Sequence, residues 1–235
     1  MKAIFHALLS QPLWNALIFI YGTIAFRDLG IAIILLTVVV RLALFPLAHK
    51  GMRQQAVLTK IKPHIDELGR KYKTEKERHA KELMALYRTH GVNPVWSIVV
   101  VLIQLPVLIA LYRIFLNGLQ GALGIARYAF VPDPGTISAT FVGLLNLHEP
   151  SIVLVVAAAA LQYVQGRQMP QGMNKALVWI GPIITFIILM RLPSAIALYW
   201  TTSTVFSIVQ QLFITRALAR ETFHGSAQND HKKIT

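Results

Sequence analysis

The sequence predicts an all-α, polytopic membrane protein, and three observations lead there. Of 235 residues, 55% are hydrophobic and only 14% charged, with a mean hydropathy of +0.55. Soluble domains carry about 25% charged residues, and a chain of this size cannot bury so large an apolar excess in one core. Second, 23 Lys and Arg face 10 Asp and Glu, a net charge of +13, the pattern of apolar spans joined by basic loops. Third, the charge is clustered: eleven basic residues and five acids fall within residues 50–88, and the remainder is mostly apolar runs. Bulk disorder is excluded by the same hydropathy, and a soluble enzyme nearly so. Cys is absent, which removes disulfides, thiolate zinc sites and a Cys nucleophile.

Taken in order, residues 1–28 read as an interfacial amphipathic helix, because the apolar run 13–26 is short and opens on Gln11, Pro12, Trp14 and Asn15. A sixth span or a retained signal sequence are the alternatives; no small-x-small cleavage site follows the run. Five spans come next, at 29–48, 94–117, 149–166, 175–191 and 194–215. The third and fourth are short against the ~20 residues that cross a bilayer and call for local thinning or interfacial residues to complete them. The basic window 49–93 must lie in the cytoplasm. That orients the N-terminus outside, the 118–148 loop outside, the 167–174 loop inside and the 216–235 tail inside, as in a bacterial plasma membrane. The window itself reads as a helical hairpin. Val57, Ile61, Ile65, Leu68 and Tyr72 mark one helix, which Pro63 should kink or break. Thr74 with Glu77 forms a capping box that opens the second.

Arg41 is the most informative residue. It lies about 12 Å inside its span, at 1.5 Å per residue, where a guanidinium costs at least about 2.5–3.5 kcal/mol. No expected span contains an Asp or Glu to pair with it except Glu149, at the outer mouth of the third. Snorkelling to the inner interface is the plainer explanation; a hydrated cavity within the membrane is the sharper one. Neutral polar groups are spaced to line such a cavity: Thr37 one turn before Arg41, Gln104 in the second span, Gln162 and Tyr163 in the third, and a stripe of Trp200, Thr204, Ser207 and Gln211 in the fifth, flanked by Thr201, Ser203 and Gln210. The same residue types also serve as interhelical glue. The basic residues Arg53, Lys60, Lys62, Arg70, Lys71 and Lys73 of the hairpin suit contact with anionic lipid or with a ribosome or translocon; aromatic residues that would stack on nucleic acid are few there, so no nucleic-acid specificity is expected. No H-E-x-x-H, G-x-S-x-G or Walker A pattern occurs, and the scattered His give no metal-ligand spacing. No cofactor is expected.

These residues resemble the YidC/Oxa1/Alb3 family of membrane protein insertases, in the form of a short bacterial member. The likeness covers about residues 28–218. It rests on Leu36-Thr37-Val38-Val39-Val40-Arg41 with Pro46-Leu47; Leu86-Tyr87-Arg88 with Gly91-Val92-Asn93-Pro94; Leu102-Ile103-Gln104-Leu105-Pro106-Val107 with Ala110-Leu111-Tyr112; and Leu192-Pro193-Ser194 through Leu198-Tyr199-Trp200-Thr201-Thr202-Ser203 with Gln210-Gln211. The stretch Trp96-Ser97-Ile98-Val99-Val100 and Thr204 depart from the family pattern. The resemblance implies a five-span insertase core with a groove open to cytoplasm and lipid, closed outside. In it Arg41 is the groove arginine, Thr37, Gln104 and Trp200 match positions that line the groove or meet substrate, and nascent membrane proteins are the clients. A small anion transporter or channel, and a membrane-anchored scaffold presenting the hairpin, remain as alternatives; missing acids and repeats weigh against transport.

Overall fold

The structure is a computed structural model that describes residues 5–93, 95–118, 125–168 and 175–233. The fold is mostly helical. A π-helical turn, His6–Ser10, leads into α1 (Gln11–Thr23), followed by α2 (Leu29–Ala43), α3 (Phe45–Lys71), α4 (Lys76–Thr89), α5 (Val95–Arg113), α6 (Ile152–Arg167), α7 (Lys175–Leu189) and α8 (Ser194–Lys233). Two short antiparallel strands, β1 (Thr140–Phe141) and β2 (Leu145–Asn146), interrupt the loop before α6.

Helix α1 packs against α2, and Leu17, Ile18 and Tyr21 are buried. Its polar residues have a structural use. Asn15 donates to Ala126 O at 3.1 Å and accepts from Tyr128 N at 2.7 Å, and the Tyr21 hydroxyl accepts from Ser138 N at 3.2 Å. The polar break in the first apolar run is thus what holds the 125–147 segment across one end of the bundle.

Asp28 adds to this closure. One carboxylate oxygen caps α2 at Ile31 N, 2.9 Å away, and the other accepts from Val142 N at 2.5 Å. That second bond pins the three-residue turn between β1 and β2, where Val142 and Gly143 both take positive φ. A β-branched residue is disfavoured there, so the carboxylate offsets local strain. Beneath the turn, Phe141 lies so close to Gly30 that a Cβ on Gly30 would overlap its ring. Ser194, at the start of α8, completes the seal by donating to Asn146 O at 2.7 Å and Glu149 O at 2.5 Å.

The core joins α1, α2, α5, α6 and α8, with Leu36, Leu111, Phe115, Val155, Ile196 and Tyr199 at its centre. Helix α7 packs mainly against α6 and enters that core through Leu189. Its Ile180, Ile183, Ile184, Ile187 and Ile188 are all about half exposed and form an apolar face. Soluble monomers rarely present such a continuous patch.

Several local expectations change. The run 29–48 is not one helix: the chain bends by 67° between Leu29–Ala43 and Phe45–Lys71, with Pro46 in the first turn of the new helix, where its missing N–H costs nothing. Among the described residues no single helix is long and apolar enough to cross a membrane, although this bent pair passes the same test together. Pro63 does not break α3, which runs through it with the ring exposed. The Thr74 capping box does not form; α4 starts at Lys76 with Glu75 as its N-cap, one residue later than that box requires. The fifth run and the expected tail are one continuous helix to Lys233. The expected 167–174 loop lies largely outside the described residues, as do Pro94 and 119–124.

Candidate functional site

Helices α2, α3, α5, α6 and α8 enclose a cavity of about 470 Å³. The bend after Ala43 creates the geometry: α2 brings Arg41 to the cavity, and α3, turned away, contributes Gly51, Met52 and Gln55. Helix α5 adds Gln104, Leu105 and Leu108. Helix α6 and its C-cap supply Gln162, Gln165 and Gln168, and α8 supplies Tyr199, Trp200, Ser207 and Gln211.

The guanidinium of Arg41 is partly buried. Its Nε donates to Ser203 Oγ at 2.8 Å, and Nη2 donates to the same oxygen. Ser203 is 4% exposed, so the bond is shielded from competing solvent and stronger than an exposed equivalent. Arg41 has no carboxylate partner among the described residues; ion pairs there include Lys62–Asp66, Arg78–Glu75 and Arg127–Asp133. A hydroxyl oxygen orients the guanidinium without neutralising it, and the positive charge persists toward the cavity. Beside it, Gln104 donates to the Tyr199 hydroxyl, and Trp200 Nε1 reaches Gln162 Oε1 at 3.4 Å. These cross-helix bonds fix the amides of α5 and α6 against α8.

The expected residues divide into two groups. Arg41, Gln104, Gln162, Trp200, Ser207 and Gln211 all line the cavity. Thr37, Tyr163 and Thr204 do not belong to the lining. Thr37 is 1% exposed and donates to its own helix at Ile33 O, 2.6 Å. Thr204 donates to Trp200 O at 2.8 Å. Tyr163 packs on Trp179 with ring centroids 4.6 Å apart and lies under Arg167, joining α6 to α7.

Sequence reasoning did not select Tyr199, Gln55, Gln165 or Gln168 and gave Ser203 only a flanking place. A signal existed for Ser203: Tyr199 and Ser207 stand four residues either side of it, on the same helical face. The hairpin basic residues lie apart from the cavity, on α3 and in the turn after it. Lys62 is 3.6 Å from Asp66, and Lys71 sits 5.3 Å from the Tyr72 ring centroid. No group of three or more His, Asp or Glu among the described residues could hold a metal ion.

Among the described residues, a helical bundle covered at one end, with one cation in a polar cavity and an apolar outer face, suits a membrane protein. Residues 19–221 match the family model of the 60Kd inner membrane protein, and the chain belongs to that family. Among its relatives, a protein named membrane protein insertase YidC from Helicobacter pylori (strain ATCC 700392 / 26695) is 30% identical over 207 residues, covering 86% of this chain and 36% of the relative. Its namesake from Wolinella succinogenes is 32% identical over 218 residues, covering 91% and 38%. The chain therefore spans less than two fifths of the length of these curated relatives. A solved structure described as an active YidC insertase with its first transmembrane domain resolved shares the fold, at a TM-score of 0.59 and 24% identity over 88% of this chain and 45% of that one. The resemblance expected from the sequence motifs is thereby borne out.

Proposed function

We propose that the chain is a membrane protein insertase. One observation carries this reading: Arg41 keeps an unneutralised charge inside a cavity of amides and hydroxyls, in a chain whose relatives are named insertases. A nascent segment enters the cavity from the cytoplasm, and its short outer portion, often acidic, is drawn toward Arg41. A charge pair at 4 Å is worth about 1–4 kcal/mol between bulk water and a near-surface protein environment. The apolar portion then moves sideways into lipid, a step driven by roughly 25 cal/mol per Å² of apolar surface leaving water. No bond is made or broken, so the protein acts as a chaperone of insertion and not as an enzyme.

The proposal includes the topology read from the charges. Helices α2, α5, α6, α7 and α8 supply five spans, with the N-terminus outside, α1 at the outer interface and the α3–α4 hairpin in the cytoplasm. Helices α2, α6 and α7 have 15, 16 and 15 residues, about 22–24 Å at 1.5 Å per residue, against about 30 Å of hydrocarbon. A bilayer thinned around them shortens the polar path. The hairpin's Arg53, Lys60, Lys62, Arg70, Lys71 and Lys73 face anionic lipid and a ribosome or a Sec-type translocon.

The test is insertion itself. Liposomes carrying the purified full chain should protect a short single-span client from added protease, and empty liposomes should not. Anion flux without client protection would favour the transporter reading. Silent cavity substitutions, with loss of function on removing the hairpin, would favour the scaffold. The chain has no native Cys, so single cysteines at 71 and 133 report orientation: 71 should label from the cytoplasmic side and 133 from the other.

A further inference from the structure

Six of the twelve glutamines in the chain line the one cavity: Gln55, Gln104, Gln162, Gln165, Gln168 and Gln211. They come from α3, α5, α6 with its C-cap, and α8, and among the described residues Arg41 is the single charged one in the lining. Gln162, Gln165 and Gln168 recur every third residue and descend α6 in a slanted line. The Oε1 of Gln168 is buried without a partner among the described residues.

A primary amide offers two donors and two acceptor lone pairs and carries no charge. It matches the peptide group, which presents one N–H and one C=O, whatever side chain follows. The size of the cavity points the same way. A helix about 10 Å across that rises 5.4 Å per turn fills roughly 420 Å³ per turn, so about 470 Å³ holds little more than one turn. One turn closes almost none of its own hydrogen bonds, because the first four N–H and last four C=O groups of a helix are open. A non-helical segment, or the open end of a helix, held in this cavity therefore presents unpaired backbone groups to its lining.

We propose that the glutamines form a track that hydrogen-bonds the unpaired peptide backbone of a client's outer segment as it crosses, with Arg41 adding preference for acidic side chains. This rests on the insertase reading of the same cavity and names its ligand: non-helical polypeptide, recognised through its peptide groups and not through its sequence. The track tolerates neutral segments that Arg41 cannot attract.

The experiment uses the full chain in liposomes and two clients with the same apolar span. One has an uncharged Ala/Ser outer segment; the other has Pro at alternate positions of that segment, which removes half of its backbone donors. The Gln165→Leu/Gln168→Leu variant should insert the Ala/Ser client about tenfold more slowly than wild type, on the scale of two hydrogen bonds, with little dependence on salt. Its effect on the Pro client should be clearly smaller. Gln165→Asn/Gln168→Asn, which keeps the amides, should retain most of the wild-type rate and so separates lost recognition from lost folding. Wild-type rates in the Leu variant, or an equal loss for both clients, would overturn the inference while leaving the insertase reading intact. Failure of the wild type to insert either client would overturn both.

Discussion

Two cavities of similar volume, about 470 Å³ inside the bundle and about 500 Å³ between α3 and α4, have opposite linings. The hairpin cleft sets His64, Glu67 and Lys71 against Glu82 and Thr89, a mixture of signs open to solvent. Among the described residues the bundle cavity has one charge, Arg41, held by Ser203 and surrounded by amides. Charge in the cleft is of both signs and is screened within about 8–10 Å by salt. The single interior cation is neither paired with an acid nor fully solvated, so its field acts on whatever enters.

The contrast can be tested by parallel substitutions, beginning with the largest effect. Gly30→Val should destabilise the protein by about 3 kcal/mol, the upper end for overpacking, because the Phe141 ring must vacate its site. Thermal unfolding in detergent measures it, and a drop within the scatter of surface variants would show that the sealed end yields easily. Arg41→Ala should slow insertion of a client with an acidic outer segment about tenfold, equivalent to 1.4 kcal/mol, and Arg41→Lys should restore most of the rate. In the hairpin, the glycine experiment changes sign. Gly69→Ala meets only the His79 ring at 3.9 Å and should stabilise the helix by about 0.5–1 kcal/mol. Smallest of all, Asp66→Ala removes the exposed partner of Lys62 and should cost less than about 0.5 kcal/mol. A larger loss in that unfolding measurement would mean the hairpin charges are coupled more tightly than their exposure implies.

Much of this division is legible in the chain. Composition and the 50–88 charge cluster give a helical membrane protein with a basic hairpin, and Arg41 stands out because no expected span offers it an acid at its depth, the one acid there, Glu149, lying at the outer mouth of the third. Gln104, Gln162, Trp200, Ser207 and Gln211 follow from helical spacing. What stays hidden depends on tertiary geometry. The 67° bend falls at Leu44 within an apolar run, and Pro46 is its only local trace. Gln55 joins the cavity because α3 swings round after that bend; in sequence it belongs to the basic window. Gln165 and Gln168 sit near a helix end, where polar residues need no special explanation. Thr37 and Thr204 mislead for the converse reason: a hydroxyl in a helix can satisfy itself on the carbonyl four residues back, and spacing alone does not say which way it turns. Asn15, read as an interruption of the first apolar run, is the residue that holds the 125–128 segment.

The central claim is that clients pass through the amide-lined cavity around Arg41. Photocrosslinking from positions 104 and 200 to a ribosome-stalled single-span protein tests it most directly, with position 71 in the hairpin cleft as the comparison. Crosslinks from 104 and 200 that appear when the span has just emerged, and fade once it is released into lipid, are the expected result. Crosslinks from 71 with none from 104 or 200, in a preparation that still inserts the client, would contradict the account.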